Sequence, residues 1–157
     1  MYTTRAARHI DAPPSAVYRS LLDRDAVERW RVPDGMTCEV HSFDVREGGE
    51  FRVSLHYDAE DGTGKSGDRT DTYHGRFVEL VPDERVVEII EFESPDPRLH
   101  GAMTLTTTLI PVGGGTEVRL VHEGIPDAVA PADNDTGTRM ALDRLAALAE
   151  ERREPRG

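Results

Sequence analysis

Histidine is the residue type in this chain best suited to chemistry, and there are six, at positions 9, 41, 56, 74, 100 and 122. Imidazole donates or accepts hydrogen bonds, titrates near neutral pH and ligates metals. No two of the six stand at the short paired spacing that zinc sites use, so no metal centre is expected. His56 alternates with apolar residues and is expected to face water; His74 lies next to a glycine. His122 is different, because Val118, Leu120 and His122 fall on one face of a strand. That places it near an enclosed space, where it could fix a ligand or act as acid or base with Tyr57 or Tyr73. The commoner role for such a residue is structural, a core-edge histidine hydrogen-bonded to backbone.

Other candidate chemistry is weaker. Glu91 and Glu93 form a carboxylate pair, but strand alternation sends both to a wet face or a rim. The glycines at 113, 114 and 115 lack the Lys and Ser/Thr of a phosphate loop and join two strands, so they form a hairpin turn. There is no Gly-x-Ser-x-Gly nucleophile motif. Cys38, the sole cysteine, is expected to be a small core residue. No internal disulfide can form, which fits a reducing compartment and a cytoplasmic location.

The elements that must position these residues are readable. The segment from Asp133 to Glu151 predicts one long helix. Thr138, Ala141, Leu142, Leu148 and Ala149 cluster around Leu145 at helical period, and Asp133 or Asp135 is a plausible N-cap. Upstream, Tyr2 to Ile10 predicts a strand, ended by Asp11-Ala-Pro-Pro-Ser. A short helix follows, capped by Asp11 or Ser15, with Val17, Tyr18, Leu21 and Leu22 on one face. A second short helix runs from Arg24 to Trp30, and Val32-Pro-Asp-Gly-Met predicts a loop.

From Thr37 to Gly124 the pattern is strand and turn. Thr37 to Val45 and Glu50 to Asp58 are strands; in the second, Phe51, Val53, Leu55 and Tyr57 alternate with polar residues. Ala59 to Arg69, polar and Gly-rich, predicts a mobile hairpin tip. Thr70 to Val81 is a strand with a bulge expected at Gly75, which leaves open whether Phe77 or Val78 faces the core. Pro82-Asp-Glu turns into a strand from Arg85 to Glu93. After a loop, Ala102 to Pro111 and Thr116 to Glu123 form a hairpin, with Met103, Leu105, Thr107 and Leu109 on one face. Sequential strands on short turns pair antiparallel. The fold class is therefore α+β: a curved antiparallel sheet, two short helices after strand one, and a C-terminal helix over a cavity.

At 157 residues the chain predicts one domain. Its 30 acidic against 19 basic residues, a net charge of -11, argue against nucleic-acid or anionic-membrane partners. No apolar run opens the chain or is long enough to span a bilayer.

Several stretches together resemble a known family. Ile10-Asp-Ala-Pro-Pro-Ser-Ala-Val-Tyr is similar to the opening of START-like helix-grip (SRPBCC) domains. Arg29-Trp-Arg-Val-Pro-Asp-Gly-Met, Arg46-Glu-Gly-Gly-Glu-Phe-Arg, the run from Tyr73 to Val86, Val121-His-Glu-Gly-Ile and the closing Gly-Thr-Arg-Met-Ala-Leu-Asp-Arg-Leu-Ala resemble the subgroup of activators of heat-shock-chaperone ATPase, in its bacterial single-domain form. The resemblance implies about seven strands with an apolar cavity under the last helix. It also implies that many relatives carry Trp where this chain has Thr138.

The expected function is binding of a small apolar or aromatic ligand, with a regulatory or stress-related role and without catalysis. The alternatives are a polyketide cyclase/dehydratase-like enzyme using His122 and a tyrosine, or a chaperone ATPase co-factor. The expected wall is Trp30, Phe51, Val53, Leu55, Tyr57, Tyr73, Phe92, Met103, Leu105, Leu120, His122, Thr138, Leu142 and Leu145. No cofactor or metal is expected; a homodimer is compatible with this reading, and chaperone contact is the less favoured partner.

Overall fold

The computed structural model describes residues 1–32, 35–57 and 70–153. The expected hairpin tip from Ala59 to Arg69 and two residues of the Val32-Pro-Asp-Gly-Met loop lie outside them. The order of elements is β1 (Tyr2–Ile10), α1 (Pro14–Leu22), α2 (Arg24–Trp30), β2 (Met36–Phe43), β3 (Glu50–Tyr57), β4 (Thr70–Val81), β5 (Arg85–Glu93), a short 3-10 turn at Pro97–Leu99, β6 (Met103–Val112), β7 (Gly115–Ile125) and α3 (Pro131–Arg153).

Seven strands form one sheet in the order β1-β7-β6-β5-β4-β3-β2, antiparallel at every pairing. From β2 to β7 the chain walks strand by strand across the sheet, as short turns require. The α1–α2 pair carries it from one edge, β1, to the other, β2. This is the helix-grip architecture.

Period-two burial sets the inner face. Phe51 and Val53 on β3, Tyr73 and Phe77 on β4, Val86 and Ile90 on β5, and Met103, Leu105 and Leu109 on β6 are all buried. Phe77 makes edge contact with Phe43 at 5.5 Å between ring centroids and packs on Phe51 at 5.1 Å. The outer face is polar and cross-linked: Arg52 grips Glu93 through two hydrogen bonds, 2.8 and 2.9 Å, and His74 reaches the same carboxylate at 3.1 Å.

The second half of α3 seats the helix. Leu145, Ala146, Leu148 and Ala149 are buried in the same core as Val17, Val27 and Trp30, and α3 lies closest to β1, α1 and α2. The first half carries short or polar side chains, Asn134, Gly137, Thr138 and Ala141, and they are only partly buried. The apolar stripe is therefore a feature of the C-terminal half.

Three local expectations are corrected, and one open question is settled. The bulge in β4 falls between Phe77 and Glu79 and not at Gly75, whose pairing with Phe51 and Ile90 is regular. Gly75 serves close packing: a Cβ there would stand 2.2 Å from the Ile89 carbonyl and 2.8 Å from the Phe51 ring. The bulge leaves Phe77 buried and Val78 exposed. Neither Asp11 nor Ser15 caps α1, which starts after Pro13 with no side-chain cap. Nor do Asp133 or Asp135 cap α3; the helix begins at Pro131, and Asp133, inside the first turn, donates its amide to the Ala130 carbonyl.

Leu145 is fully buried at the seat of the helix. Leu145→Ala should cost ~2–5 kcal/mol in chemical denaturation, from lost transfer energy plus the cavity left behind. A loss under about 1 kcal/mol would mean that α3 does not anchor the core.

Candidate functional site

Because α3 is seated by its second half, its first half spans a gap above the sheet. The gap is a cavity of about 280 Å³. Its floor comes from Leu55 of β3, Tyr73 of β4, Ile90 and Phe92 of β5, Leu105 and Thr107 of β6, and Leu120 and His122 of β7. Trp30 and Arg31 close one end, and Asn134, Gly137, Thr138, Ala141 and Leu142 form the roof. A second, larger space of about 650 Å³ lies between α2, β2 and the end of α3, where the charged Asp25, Glu28, Arg29, Arg144 and Glu151 stand beside apolar residues such as Val32, Met36 and Leu148.

Of the fourteen residues expected in the wall, nine line the cavity: Trp30, Leu55, Tyr73, Phe92, Leu105, Leu120, His122, Thr138 and Leu142. Five do not. Phe51, Val53, Met103 and Leu145 are buried in the packed core outside it. Tyr57 is part-buried and donates its hydroxyl to Asp71 Oδ2 at 3.2 Å; it is this aspartate that reaches the cavity.

The polar end of the wall was missed in the sequence. Arg31 donates to Glu88 Oε1 at 2.8 Å, with only 15% and 6% of the two side chains exposed. Its guanidinium also stands 5.4 Å from the Tyr73 ring and 5.8 Å from the Trp30 ring, within cation–π range. Burial works against the arginine's charge, but Glu88, together with Tyr73 and Cys38, outweighs it and raises its pKa. Trp30 is itself fixed, donating Nε1–H to the Ser20 carbonyl at 2.8 Å.

Among the described residues, two buried polar atoms in the wall make no hydrogen bond of good geometry, Tyr73 Oη and His122 Nε2, although the Arg31 guanidinium lies close enough to interact with the Tyr73 hydroxyl. Tyr73 is 7% exposed and His122 9%. Burial pushes the Tyr73 hydroxyl up to about 12, against the pull of Arg31. Burial, and then the Arg31 charge, push His122 down to about 4, so its ring is neutral at pH 7. Thr4 Oγ1 bonds Asn134 Oδ1 at 2.9 Å, and Asn134 Nδ2 faces His122 Nδ1 at 3.4 Å. Unsatisfied buried polar atoms cost roughly 1–3 kcal/mol each, and two in one cavity mark it as the functional candidate.

Among the described residues, no group of three or more His, Cys, Asp or Glu could hold a metal ion. Nor is any helix among them long and apolar enough to cross a membrane.

A curved antiparallel sheet, a gripping helix and a cavity between them define a START-like helix-grip protein. More narrowly, residues 11–150 match the family described as Activator of Hsp90 ATPase homolog 1-like protein, and the chain belongs to that family. It is similar to a crystallised protein from Chromobacterium violaceum at 37% identity, covering 94% of this chain and 96% of the other with a TM-score of 0.85. A protein from Rhizobium loti is 30% identical over 94% of this chain and 96% of its own, with a TM-score of 0.70. An AHSA1-like protein from Aeromonas hydrophila shares the fold at 18% identity, covering 99% of this chain and 98% of the other with a TM-score of 0.73. No curated protein matches the chain in sequence.

Two outcomes test the site's electrostatics. The folded His122 pKa lies below the unfolded value, so the unfolded chain takes up its proton first as pH falls. Stability from the neutral ring is complete above about pH 6.5 and is lost progressively toward about pH 4. In urea titrations between about pH 6.5 and 4.5, the parent should lose on the order of 2–3 kcal/mol more than His122→Gln, at about 1.4 kcal/mol per unit. Parallel losses would show that water already reaches the ring. Glu88→Leu should cost ~3–5 kcal/mol by stranding Arg31, and adding Arg31→Met should recover most of it. A double variant no more stable than the single one would mean that the pair is not isolated from solvent.

Proposed function

We propose that this protein binds a small, largely apolar or aromatic molecule in the cavity between the sheet and α3, and holds it without turning it over. The observation that carries this reading is the gap of about 280 Å³, partly open to solvent, under the short side chains at Gly137, Thr138 and Ala141. Its size is at the low end for small-molecule sites, and it combines apolar walls with a few convergent polar groups, as such sites do. Trp30, Leu55, Phe92, Leu105, Leu120 and Leu142 provide apolar contact, and Tyr73 and His122 the polar ones. Phe51, Val53, Met103 and Leu145 support that wall from the core, and Tyr57 supports it through Asp71. The net charge of -11 and the lone cysteine support a cytoplasmic setting, without nucleic acid or membrane as partner.

An environment-sensitive apolar dye should bind the native protein, and Thr138→Trp should displace it by filling the space. The substitution should leave stability unchanged or raised, because it restores dispersion contacts across a void. If the dye binds and is indifferent to both Thr138→Trp and Leu142→Trp, the cavity is not the binding site. If Thr138→Trp unfolds the protein, the space is closed to ligands.

A further inference from the structure

We propose that Gly137 sets the size and shape of what the cavity accepts: a planar aromatic ring lies directly against the α3 backbone at this residue. The proposal rests on the cavity-binding reading above and adds where the ligand sits and what kind of body it has. Glycine is among the least favourable residues in a helix interior, yet Gly137 stands inside α3, in the roof of the cavity. The other described glycines have a local reason. Six have a positive φ, and a Cβ at Gly49, Gly75 or Gly115 would stand within 2.6 Å of a backbone carbonyl oxygen. Gly137 has neither. A Cβ there would meet nothing within 4 Å outside the helix's own backbone. Packing does not demand glycine here, and alanine would serve the helix better.

The contacts between α3 and the chain of β1 fix what lies opposite. Thr4 Oγ1 bonds Asn134 Oδ1, Arg8 Nε donates to Asp143 Oδ1, and the Asp11 amide donates to Glu150 Oε2, each at 2.9 Å. α3 therefore runs alongside β1 in the same direction: Thr4 to Asp11 in extended chain and Asn134 to Glu150 in helix both rise roughly 23–24 Å. Gly137, one turn beyond Asn134, stands at the level of Ala6, whose partner in the sheet is Leu120, itself paired with Thr107. Leu120 and Thr107 both line the floor. The missing side chain thus opens a notch between helix backbone above and this row below, bounded on the same helix face by Asn134 and Ala141. A flat ring in the notch brings its face into dispersion contact with backbone and Leu120, whereas a globular hydrocarbon is held off by the neighbouring side chains. A separate observation points to a ligand at this place. His122 pairs with Thr4, one row from Leu120 on the same face; it is over nine-tenths buried, and its Nε2 has no partner. A hydroxyl on the ring can donate or accept, so it satisfies that nitrogen whichever ring nitrogen carries the proton.

The test compares 2-naphthol with 1-adamantanol, which carry the same hydroxyl on the same number of carbons, one flat and one globular. Near pH 7, 2-naphthol is titrated by its own fluorescence and 1-adamantanol by competition. The parent should bind 2-naphthol roughly tenfold more tightly. Gly137→Ala should weaken 2-naphthol by roughly tenfold, because a methyl group intrudes on filled space, and should leave 1-adamantanol little changed. Without ligand, the same variant should have a higher urea midpoint than the parent, so lost affinity would not come from unfolding. Equal binding of the two alcohols by the parent, unaltered 2-naphthol affinity in Gly137→Ala, equal weakening of both alcohols, or a lowered urea midpoint overturns the proposal; the cavity reading still stands if the apolar dye binds and Thr138→Trp displaces it. Failure of the dye and both alcohols to bind overturns both.

Discussion

One α-helix cannot cover seven strands. With side chains a helix is about 10–12 Å across, whereas seven strands at about 4.8 Å spacing extend roughly 29 Å. The chain meets this mismatch by dividing labour along α3. Its C-terminal half carries Leu145, Leu148 and Ala149 and packs with α1, α2 and the inner face. Its N-terminal half bridges the remaining floor with side chains too short to reach it. The cavity is the space this arrangement leaves over, and its roof at Gly137, Thr138 and Ala141 is a direct consequence of sequence. Larger apolar residues at those positions would extend the seat and close the gap.

The Arg31–Glu88 pair is the costly element within that frame. Removing two charges from water costs several kcal/mol per ion, and apolar residues of similar volume often serve stability as well or better. The pair is a poor stabilising device by that measure, yet both partners stand on the cavity wall. There they set a fixed dipole, and the guanidinium acts on both Tyr73 and His122. Stacking on Tyr73 and Trp30 holds the guanidinium plane in place. The polar end of the cavity thus joins Arg31 at the end of α2 to Tyr73 of β4 and Glu88 of β5.

Much of the fold was legible because period two and period 3.6 are local signals. The bounds of β1, α2, β4 and β5 follow directly from alternation, prolines and turn residues. What escaped depended on contacts distant in sequence. Gly75 suggests a bulge to any local rule, but the Phe51 ring and the Ile89 carbonyl are what demand it. The actual bulge, at Val78, has no compositional mark. Phe51, Val53 and Met103 share faces with true wall residues, and only the curvature of the sheet separates them from the cavity. Glu88 could have been found, since it alternates with the buried Val86 and Ile90 and a carboxylate in that register needs a partner. Arg31 could not: it follows a helix whose regular continuation sets its direction, and the non-helical φ of -89° and ψ of 47° at this C-cap accompany its inward placement.

The same wall bears on whether the site holds or transforms its ligand. General acid–base catalysis is most effective when the group's pKa lies near the working pH. Here His122 is displaced down to about 4 and Tyr73 up to about 12, while Arg31 is held charged by Glu88. At pH 7 the imidazole is uncharged and the phenol protonated. A cyclase or dehydratase would need one of these groups moved back toward neutrality, which an anionic ligand could do by stabilising the imidazolium. The three carboxylates in the lining already oppose such a ligand. Both side chains thus suit hydrogen bonding in the protonation states they already hold, which supports the binding reading proposed above.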